Sequence, residues 1–327
     1  MHDERIAGST TGGGHGTPIG DQRRRAPTRS ATFQHRRRRA VALAAIALVA
    51  LVAGVAMGSS RGSRAERDPV ASRSRAGSSA RTHPPAAAGS GSFHVRELAA
   101  ESAAINRTLA YTPYVRIAGS EQREIALTFD DGPGPYTPGI LAVLRRWHTP
   151  ATFFEVGAML QYFHASTSEI VALGDPIGDH TELHRPMSEL SKNDQRDELL
   201  DQAAAISQYG APFPRLFRPP YGVYNATTLA LLRKYGMLMV MWSVDSNDYL
   251  MPGVARIVKT VISGARPGAI ILMHDAGGDR SQTIAALPKI IRGLRARGYR
   301  LVTVPRLLLD DPPPRNQVIP RTSLGAG

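Results

Sequence analysis

From Phe93 onward, short apolar runs alternate with amphipathic segments of helical length, and this alternation restricts the fold more than any other feature. Strand-like runs are predicted at 125–129, 151–156, 237–242 and 269–273, and helix-like stretches at 139–147, 193–209, 226–234, 254–264 and 281–297. Strands separated by helices favour βαβ units around a mainly parallel sheet or barrel. In such folds the functional side chains gather at the carboxyl ends of the strands.

The first 92 residues differ in composition and hold most of the charge of the chain. The formal net charge is +13, of which residues 1–39 contribute +6 and residues 59–92 contribute +4, so the remainder is almost balanced. Basic arms bind polyanions non-specifically. Because the predicted folded part is nearly neutral, we expect no specific nucleic-acid partner.

Residues 40–58 form an apolar run without a charged side chain. At about 1.5 Å per residue a helix of this length spans roughly 28 Å, close to the hydrocarbon thickness of a bilayer. The arginines at 36–39 favour a cytoplasmic N-terminus and export of the chain beyond the apolar run. A cleaved signal peptide is the alternative, since small residues at 56–58 resemble a cleavage site and Arg38-Arg39 resembles a twin-arginine signal.

These observations divide the chain into five parts. We expect a disordered basic tail on the cytoplasmic side at 1–39, a transmembrane signal-anchor or signal peptide at 40–58 and a flexible Ser/Arg/Pro linker at 59–92. The last two parts are a folded domain at 93–312 and a short tail at 313–327. We expect the domain to be a monomer, outside the cytoplasmic membrane and tethered to it, or secreted if the N-terminus is cleaved.

Polar residues cluster directly after the predicted strands. The segments are TFDDGP at 128–133, HTELH at 180–184, RPPYG at 218–222, WSVDSNDY at 242–249 and LMH at 272–274. Each has an ordinary interpretation, as a turn or as a structural histidine. Functionally, one carboxylate of Asp130-Asp131 would ligate a metal while the other acts as a base. His180 and His184, if helical, would share one face and reach a single ion. With no cysteine in the chain, a metal site must use His and carboxylate ligands.

Taken in order, these five segments resemble the five motifs of the carbohydrate esterase family 4 polysaccharide deacetylases, the NodB-homology domain. The resemblance runs from about 125 to 309. It implies an α/β fold, a deformed (β/α) barrel, here preceded by the predicted transmembrane helix and disordered linker. It also implies an enzyme that removes acetyl groups from N-acetylated sugars in chitin or peptidoglycan, or from O-acetylated xylan.

By this resemblance, Asp131, His180 and His184 would ligate a divalent metal ion, commonly Zn²⁺, with Co²⁺ or another divalent ion as alternatives. Asp130 would be the general base that accepts a proton from water. Arg218 would pair with Asp130 and keep it ionised and oriented.

The remaining roles are also carried over by resemblance. The backbone N–H of Tyr221 would stabilise the oxyanion, and His274 would protonate the leaving amine while Asp248 raises its pKa. Asp245 is the less secure match for that carboxylate. Tyr221, Tyr249 and Trp242 would contact the substrate. Two positions depart from the family pattern: Tyr249 replaces the usual Trp, and Asp179 replaces Asn or Ser, which would add negative charge near the ion.

The sequence therefore predicts a membrane-tethered, metal-dependent deacetylase of N-acetylglucosamine polysaccharide, either peptidoglycan or a chitin-like polymer. An O-acetyl esterase acting on xylan or another acetylated glycan is one alternative. A catalytically silent glycan-binding relative is another, and loss of Asp130 or a metal ligand would favour it. All of these residues are present.

Overall fold

The computed structural model describes residues 90–317. They form eight α-helices: α1 Ser90–Leu109, α2 Thr137–Arg146, α3 Gly157–Leu173, α4 Lys192–Ser207, α5 Ala226–Tyr235, α6 Val254–Gly264, α7 Ser281–Ala296 and α8 Val304–Asp310. Nine strands accompany them: β1 Tyr114–Val115, β2 Glu124–Asp130, β3 Thr152–Glu155, β4 Ile177–Asp179, β5 Leu216–Phe217, β6 Leu238–Val240, β7 Val244–Asp245, β8 Ala269–His274 and β9 Arg300–Val302.

The strands form one parallel sheet in the order β1-β6-β5-β4-β3-β2-β8-β7, with β9 also pairing with β2. A single bridge between Ile117 and Ala269 links the chain after β1 to β8, so the sheet curls into an open, deformed barrel. The predicted parallel α/β architecture is thereby confirmed. Helix α1 begins at Ser90, so the last residues of the predicted linker are helical.

The core is built from the two longest strands. All seven residues of β2 are buried, as are the first five of β8, because helices cover the outer face while the inner face fills the barrel. Outside, β2 and β8 pack against apolar residues of α2, α6 and α7, including Ile140, Ile257 and Leu287. This rigid centre fixes Asp130 and His274, the last residues of β2 and β8.

No helix within residues 90–317 is long and apolar enough to cross a membrane. The predicted tail at 1–39, the apolar run at 40–58 and nearly all of the predicted linker lie outside the described residues.

Candidate active site

The predicted site residues meet at the carboxyl edge of the sheet. Asp130 on β2 is in register with His274 on β8, and both side chains face into the barrel. Asp179 ends β4, with His180 directly after it, and Arg218 follows β5. The motifs, which are spread over residues 128–274, therefore meet at one edge of the sheet.

The loops at this edge have an unusual backbone. Among the described residues, seven non-glycine residues have positive φ, and six lie in the motif loops or just beside them: Asp131, Thr181, His184, Tyr221, Asn247 and Met251. A non-glycine residue in this region is held there against its own steric preference by the surrounding structure. Such strain is concentrated at functional sites, which supports a chemical role for this edge.

Asp131, His180 and His184 form a compact donor cluster. One ligand atom from each lies within 4.8 Å of the others. Asp131 Oδ1 is 3.1 Å from His184 Nε2 and 3.5 Å from His180 Nε2. The two histidines lie on a loop rather than on the helix considered from their spacing, because Thr181 and His184 adopt φ values of 69° and 53°. The loop nevertheless brings the imidazoles of His180 and His184 together, with their ring centroids 4.9 Å apart.

The tautomer of His180 fits a metal ligand. Its Nδ1 lies 2.7 Å from the backbone carbonyl oxygen of Arg218. A carbonyl oxygen only accepts, so Nδ1 carries the proton and the lone pair of Nε2 points toward Asp131. Burial alone would raise the pKa of Asp131, yet its interactions with the neighbouring imidazoles and the charge of His274 lower it well below its usual value. Two imidazoles and an ionised carboxylate suit a divalent ion such as zinc.

Asp130 is held by a fully buried arginine. Arg218 Nη1 donates to Asp130 Oδ1 at 2.6 Å and to Thr128 Oγ1 at 2.8 Å, while Nε donates to the carbonyl of Val240 at 2.9 Å. The guanidinium lies 4.1 Å from the ring centroid of Phe154. Oδ2 of Asp130 faces His180 Nε2 at 3.8 Å. One carboxylate oxygen is thus occupied by the arginine, and the other faces the donor cluster.

His274 and Asp248 form a second pair on the other side of the site. Asp248 accepts from His274 Nδ1 at 2.8 Å, from the His274 backbone N–H at 2.9 Å and from Thr283 Oγ1 at 2.8 Å. Burial by itself would lower the pKa of His274, but the hydrogen bond and charge of Asp248, with the charges of Asp131 and Asp130, raise it to about 9. Asp245 instead accepts from the Asn247 backbone N–H at 2.8 Å, so Asp248 is the partner of His274.

Three aromatic residues border the cluster. Tyr221 is 58% exposed and meets His184 edge-on, with ring centroids 4.7 Å apart. Tyr249 meets His274 in the same manner at 5.3 Å. Trp242 is half-buried, and the Arg218 guanidinium lies 5.7 Å from its ring centroid. Tyr221 and Tyr249 therefore border the histidines on the two sides of the site.

Asp179 behaves differently from the expectation of added negative charge. Its side chain is fully buried, and one oxygen accepts from the backbone N–H of Thr181 at 2.7 Å. Burial raises the pKa of Asp179 well above its usual value. Burial therefore disfavours a charge here, and the observed role of this carboxyl is its hydrogen bond to Thr181 in the His180 loop.

Sequence reasoning assigned no role to Asp275, which braces the loop carrying Asp130 and Asp131. Its backbone N–H donates to the Asp130 carbonyl at 3.1 Å. Its side chain accepts from Thr137 Oγ1 at 2.5 Å, and that hydroxyl accepts from the Gly134 N–H at 2.8 Å. A Cβ on Gly132 would lie only 2.4 Å from the Asp275 carboxylate, so only glycine fits. The available sequence indication was its position immediately after a predicted strand.

Glu155 is the matching buried acid on the neighbouring strand, and sequence reasoning missed it as well. It follows Phe154, which is in register with Asp130, just as Asp275 follows His274. Burial first, and then the charge of Asp275, raise the pKa of Glu155 to about 8. Thr167 Oγ1 donates to its carboxylate at 3.1 Å. The pair forms a buried layer of acids behind Asp131.

Comparison with known proteins agrees with this geometry. Residues 118–240 match the family model for polysaccharide deacetylase. A peptidoglycan-N-acetylglucosamine deacetylase of Bacillus cereus is 40% identical over 192 residues, covering 58% of this chain and 90% of that protein. A chitooligosaccharide deacetylase of a Bradyrhizobium species is 39% identical over 201 residues, covering 58% and 92%. A solved peptidoglycan N-acetylglucosamine deacetylase in complex with a benzamide ligand matches with a TM-score of 0.58 and 32% identity, covering 59% of this chain and 92% of that one.

Proposed function

The chain belongs to the polysaccharide deacetylases of carbohydrate esterase family 4, and on that premise we propose that it hydrolyses N-acetyl groups of N-acetylglucosamine polymers at a divalent metal ion held by Asp131, His180 and His184. That it is a polysaccharide deacetylase follows from its relatives. The observation that supports the metal is the compact donor cluster beside an Asp130 oxygen that the arginine leaves available. We propose zinc as the ion, with cobalt, nickel or iron also compatible with this donor set.

A divalent ion at this position supplies Lewis acidity, which lowers the pKa of water and polarises an amide carbonyl. The residues of the chain perform the proton transfers. Asp130 accepts the proton of the attacking water through Oδ2, because Oδ1 is occupied by Arg218. The backbone N–H of Tyr221, in a turn with a φ of 58°, stabilises the oxyanion.

His274 completes the reaction on the opposite side. As the C–N bond breaks, His274 gives its proton to the leaving nitrogen, and Asp248 stabilises the imidazolium until that moment. Acetate and a free amine result. An amide nitrogen must be protonated before it leaves, and a histidine with a pKa of about 9 carries that proton at neutral pH. The relatives named as N-acetylglucosamine and chitooligosaccharide deacetylases support N-acetyl groups over the O-acetyl alternative.

The complete set of groups argues against a silent glycan-binding relative. Asp130, Asp131, both histidines of the cluster and the His274–Asp248 pair are all present and in contact. We further propose that the domain acts as a monomer outside the cytoplasmic membrane, anchored through residues 40–58 or released by cleavage there. The charge pattern around that apolar run supports the proposal.

The experiment is acetate release by the purified protein from peptidoglycan, chitin oligomers and acetylated xylan, with and without chelator. We expect the N-acetylated substrates to react, chelator to stop turnover and zinc to restore it. Metal analysis of His184→Ala should show loss of the ion, since one of its three protein ligands is gone. Turnover that is unaffected by chelator, or faster on xylan than on both other substrates, would contradict the proposal.

A further inference from the structure

A strongly basic surface lies on the outside of the barrel, on helices α2, α6 and α7. These three helices contain no acidic residue at all. Eight exposed cations lie on them or at their ends: Arg146, Arg256, Lys259, Arg266, Lys289, Arg292, Arg295 and Arg297. Within residues 90–317, none of the eight is paired with a carboxylate, whereas Arg145 beside them pairs with Glu169. We call this set of eight residues the basic face.

The basic face is one continuous surface rather than scattered charges. The guanidinium of Arg295 donates to the carbonyls of Trp147 and His148 at the end of α2, at 2.8 and 3.0 Å. Arg297 Nη1 donates to the carbonyl of Ile262 on α6. Where α6 and α7 pack, a Cβ on Gly293 would lie only 2.8 Å from Ile262, so a glycine there allows the helices to approach closely.

Its charge is not a general property of the domain. Helix α4 carries Asp194, Asp197, Glu198 and Asp201 within 16 residues, against two cations. The domain is therefore electrically asymmetric, although its net charge is small. Unpaired like charges on adjacent helices repel one another, and an anionic partner would relieve that repulsion.

Between α6 and α7 the basic face contains a groove of about 430 Å³. Val258 and Ile262, which are partly buried against the core, give it an apolar floor, and Ala255, Ser263, Lys259, Lys289 and Arg297 also line it. An apolar floor with cationic margins matches an amphiphile, whose phosphate meets the cations while its hydrocarbon lies on the floor. A purely ionic polymer would leave that floor unused.

We propose that the basic face docks on a bilayer containing anionic phospholipids. Charge complementarity and the amphiphilic groove carry the proposal. The sequence also predicts a membrane segment at 40–58, only residues 59–89 before the first described helix. Basic side chains near a surface of anionic lipid each contribute about 1 kcal/mol of attraction, which salt screens.

Such docking would orient the active site. Helix α7 begins beside the site, where Thr283 bonds Asp248, and runs back toward the opposite edge of the sheet. Lys289, Arg292 and Arg295 lie along its middle and last turns. A domain resting on the far part of the basic face would direct its substrate-binding edge away from the lipid, toward polymer beyond the membrane.

The test uses residues 76–327, a compact unit that contains every described element. A unit of this kind stands alone elsewhere, since the match spans 90% of the Bacillus cereus relative. Binding is measured by co-sedimentation with phosphatidylcholine vesicles, with and without phosphatidylglycerol. We expect binding only with phosphatidylglycerol, and its loss in high salt. The variant Lys259→Gln/Lys289→Gln/Arg292→Gln should lower the partition coefficient at least about tenfold.

The matched control is Lys192→Gln/Arg233→Gln/Lys234→Gln, which removes the same charge from α4 and α5. It should bind within about twofold of the unmodified unit. Both variants should release acetate from soluble chitin oligomers normally, which separates this proposal from the catalytic one. Equal losses in the two variants, or no preference for phosphatidylglycerol, would overturn it. Binding to a DNA duplex but not to vesicles would overturn it too.

Discussion

His180 is buried and His274 is partly buried in the same site, and each places its Nδ1 against an oxygen at nearly the same distance. For His180 the acceptor is the neutral carbonyl of Arg218 at 2.7 Å, and for His274 it is the carboxylate of Asp248 at 2.8 Å. The neutral acceptor leaves Nε2 with a lone pair for a metal, while the charged acceptor stabilises an imidazolium. The charge of the acceptor is therefore the main difference between His180, the proposed metal ligand, and His274, the proposed general acid.

The carboxylates differ in the same way between the two sides. Asp130 is balanced by Arg218, whose charge is permanent, and keeps one oxygen directed at the donor cluster. Asp248 has its oxygens occupied by His274 and Thr283. Burial alone would raise the pKa of Asp248, but these hydrogen bonds and the charge of His274 lower it. These arrangements fit the proposed roles, in which Asp130 accepts a proton and Asp248 stays ionised beside His274.

The largest expected effect comes from removing the base. Asp130→Asn preserves the shape and can still accept from Arg218, but an amide cannot take a proton from water. We expect kcat for acetate release from chitin oligomers to fall about a thousandfold or more. Bound metal, measured by elemental analysis, should remain, because the three ligands are untouched. Substantial activity in this variant would remove Asp130 from the role of base.

A smaller effect should follow when the two histidines are made alike. Asp248→Asn gives His274 a neutral acceptor, as His180 has. The raised pKa of about 9 then loses its main cause, and burial, which acts in the opposite direction, lowers it toward or below the ordinary value of 6.5. The reaction needs protonated His274, so the alkaline limb of the kcat–pH profile should move to lower pH, with roughly hundredfold loss at pH 8.

The control for that change is Asp245→Asn, because Asp245 accepts from the Asn247 backbone N–H and interacts with His274 through its charge, without a hydrogen bond. Its alkaline limb should stay near that of the unmodified enzyme. If both variants shift the limb equally, the direct contact between Asp248 and His274 is not what sets the pKa.

The smallest of these effects concerns the brace behind Asp130 and Asp131. Asp275→Ala removes the acceptor for Thr137 and should make the loop that carries Asp130 and Asp131 less rigid. We expect metal affinity and kcat each to fall by about tenfold. Asp275→Asn keeps an acceptor of the same size and should recover most of both. Metal affinity is measured by titration with a competing chelator. An alanine variant with unchanged affinity would show that the loop needs no brace.

The sequence predicted the parts that have a period or a long apolar run. Strands β2, β3, β6 and β8 and helices α2 and α4 to α7 lie within a few residues of their expected positions, because burial leaves a period or an apolar run in the chain. Strands β4, β5 and β7 have only two or three residues, too few for any period to show. Helices α1, α3 and α8 and the short strands β1 and β9 were also not predicted.

The site was predicted from its motifs, and its fine geometry was not. The residues of the donor cluster and of the His274–Asp248 pair come together as the resemblance implies. The loop conformation of His180 and His184 depends on positive φ at Thr181 and His184, which side-chain identity does not reveal for non-glycine residues. Thr283 and Asp275 act through partners far away in sequence, so no local pattern marks them.

The positive φ values of six residues in or beside the motif loops affect the thermal stability of the enzyme and its evolution. At roughly 1 kcal/mol each, the four that are neither Asn nor Asp together cost about 4 kcal/mol, a large part of the folding free energy of many domains. The buried centre of β2 and β8 must offset that cost. We therefore expect heating to inactivate the enzyme at a lower temperature than the one at which the barrel unfolds. A homologue that is no longer selected for catalysis would gain thermal stability first through substitutions that return these loops to ordinary φ values.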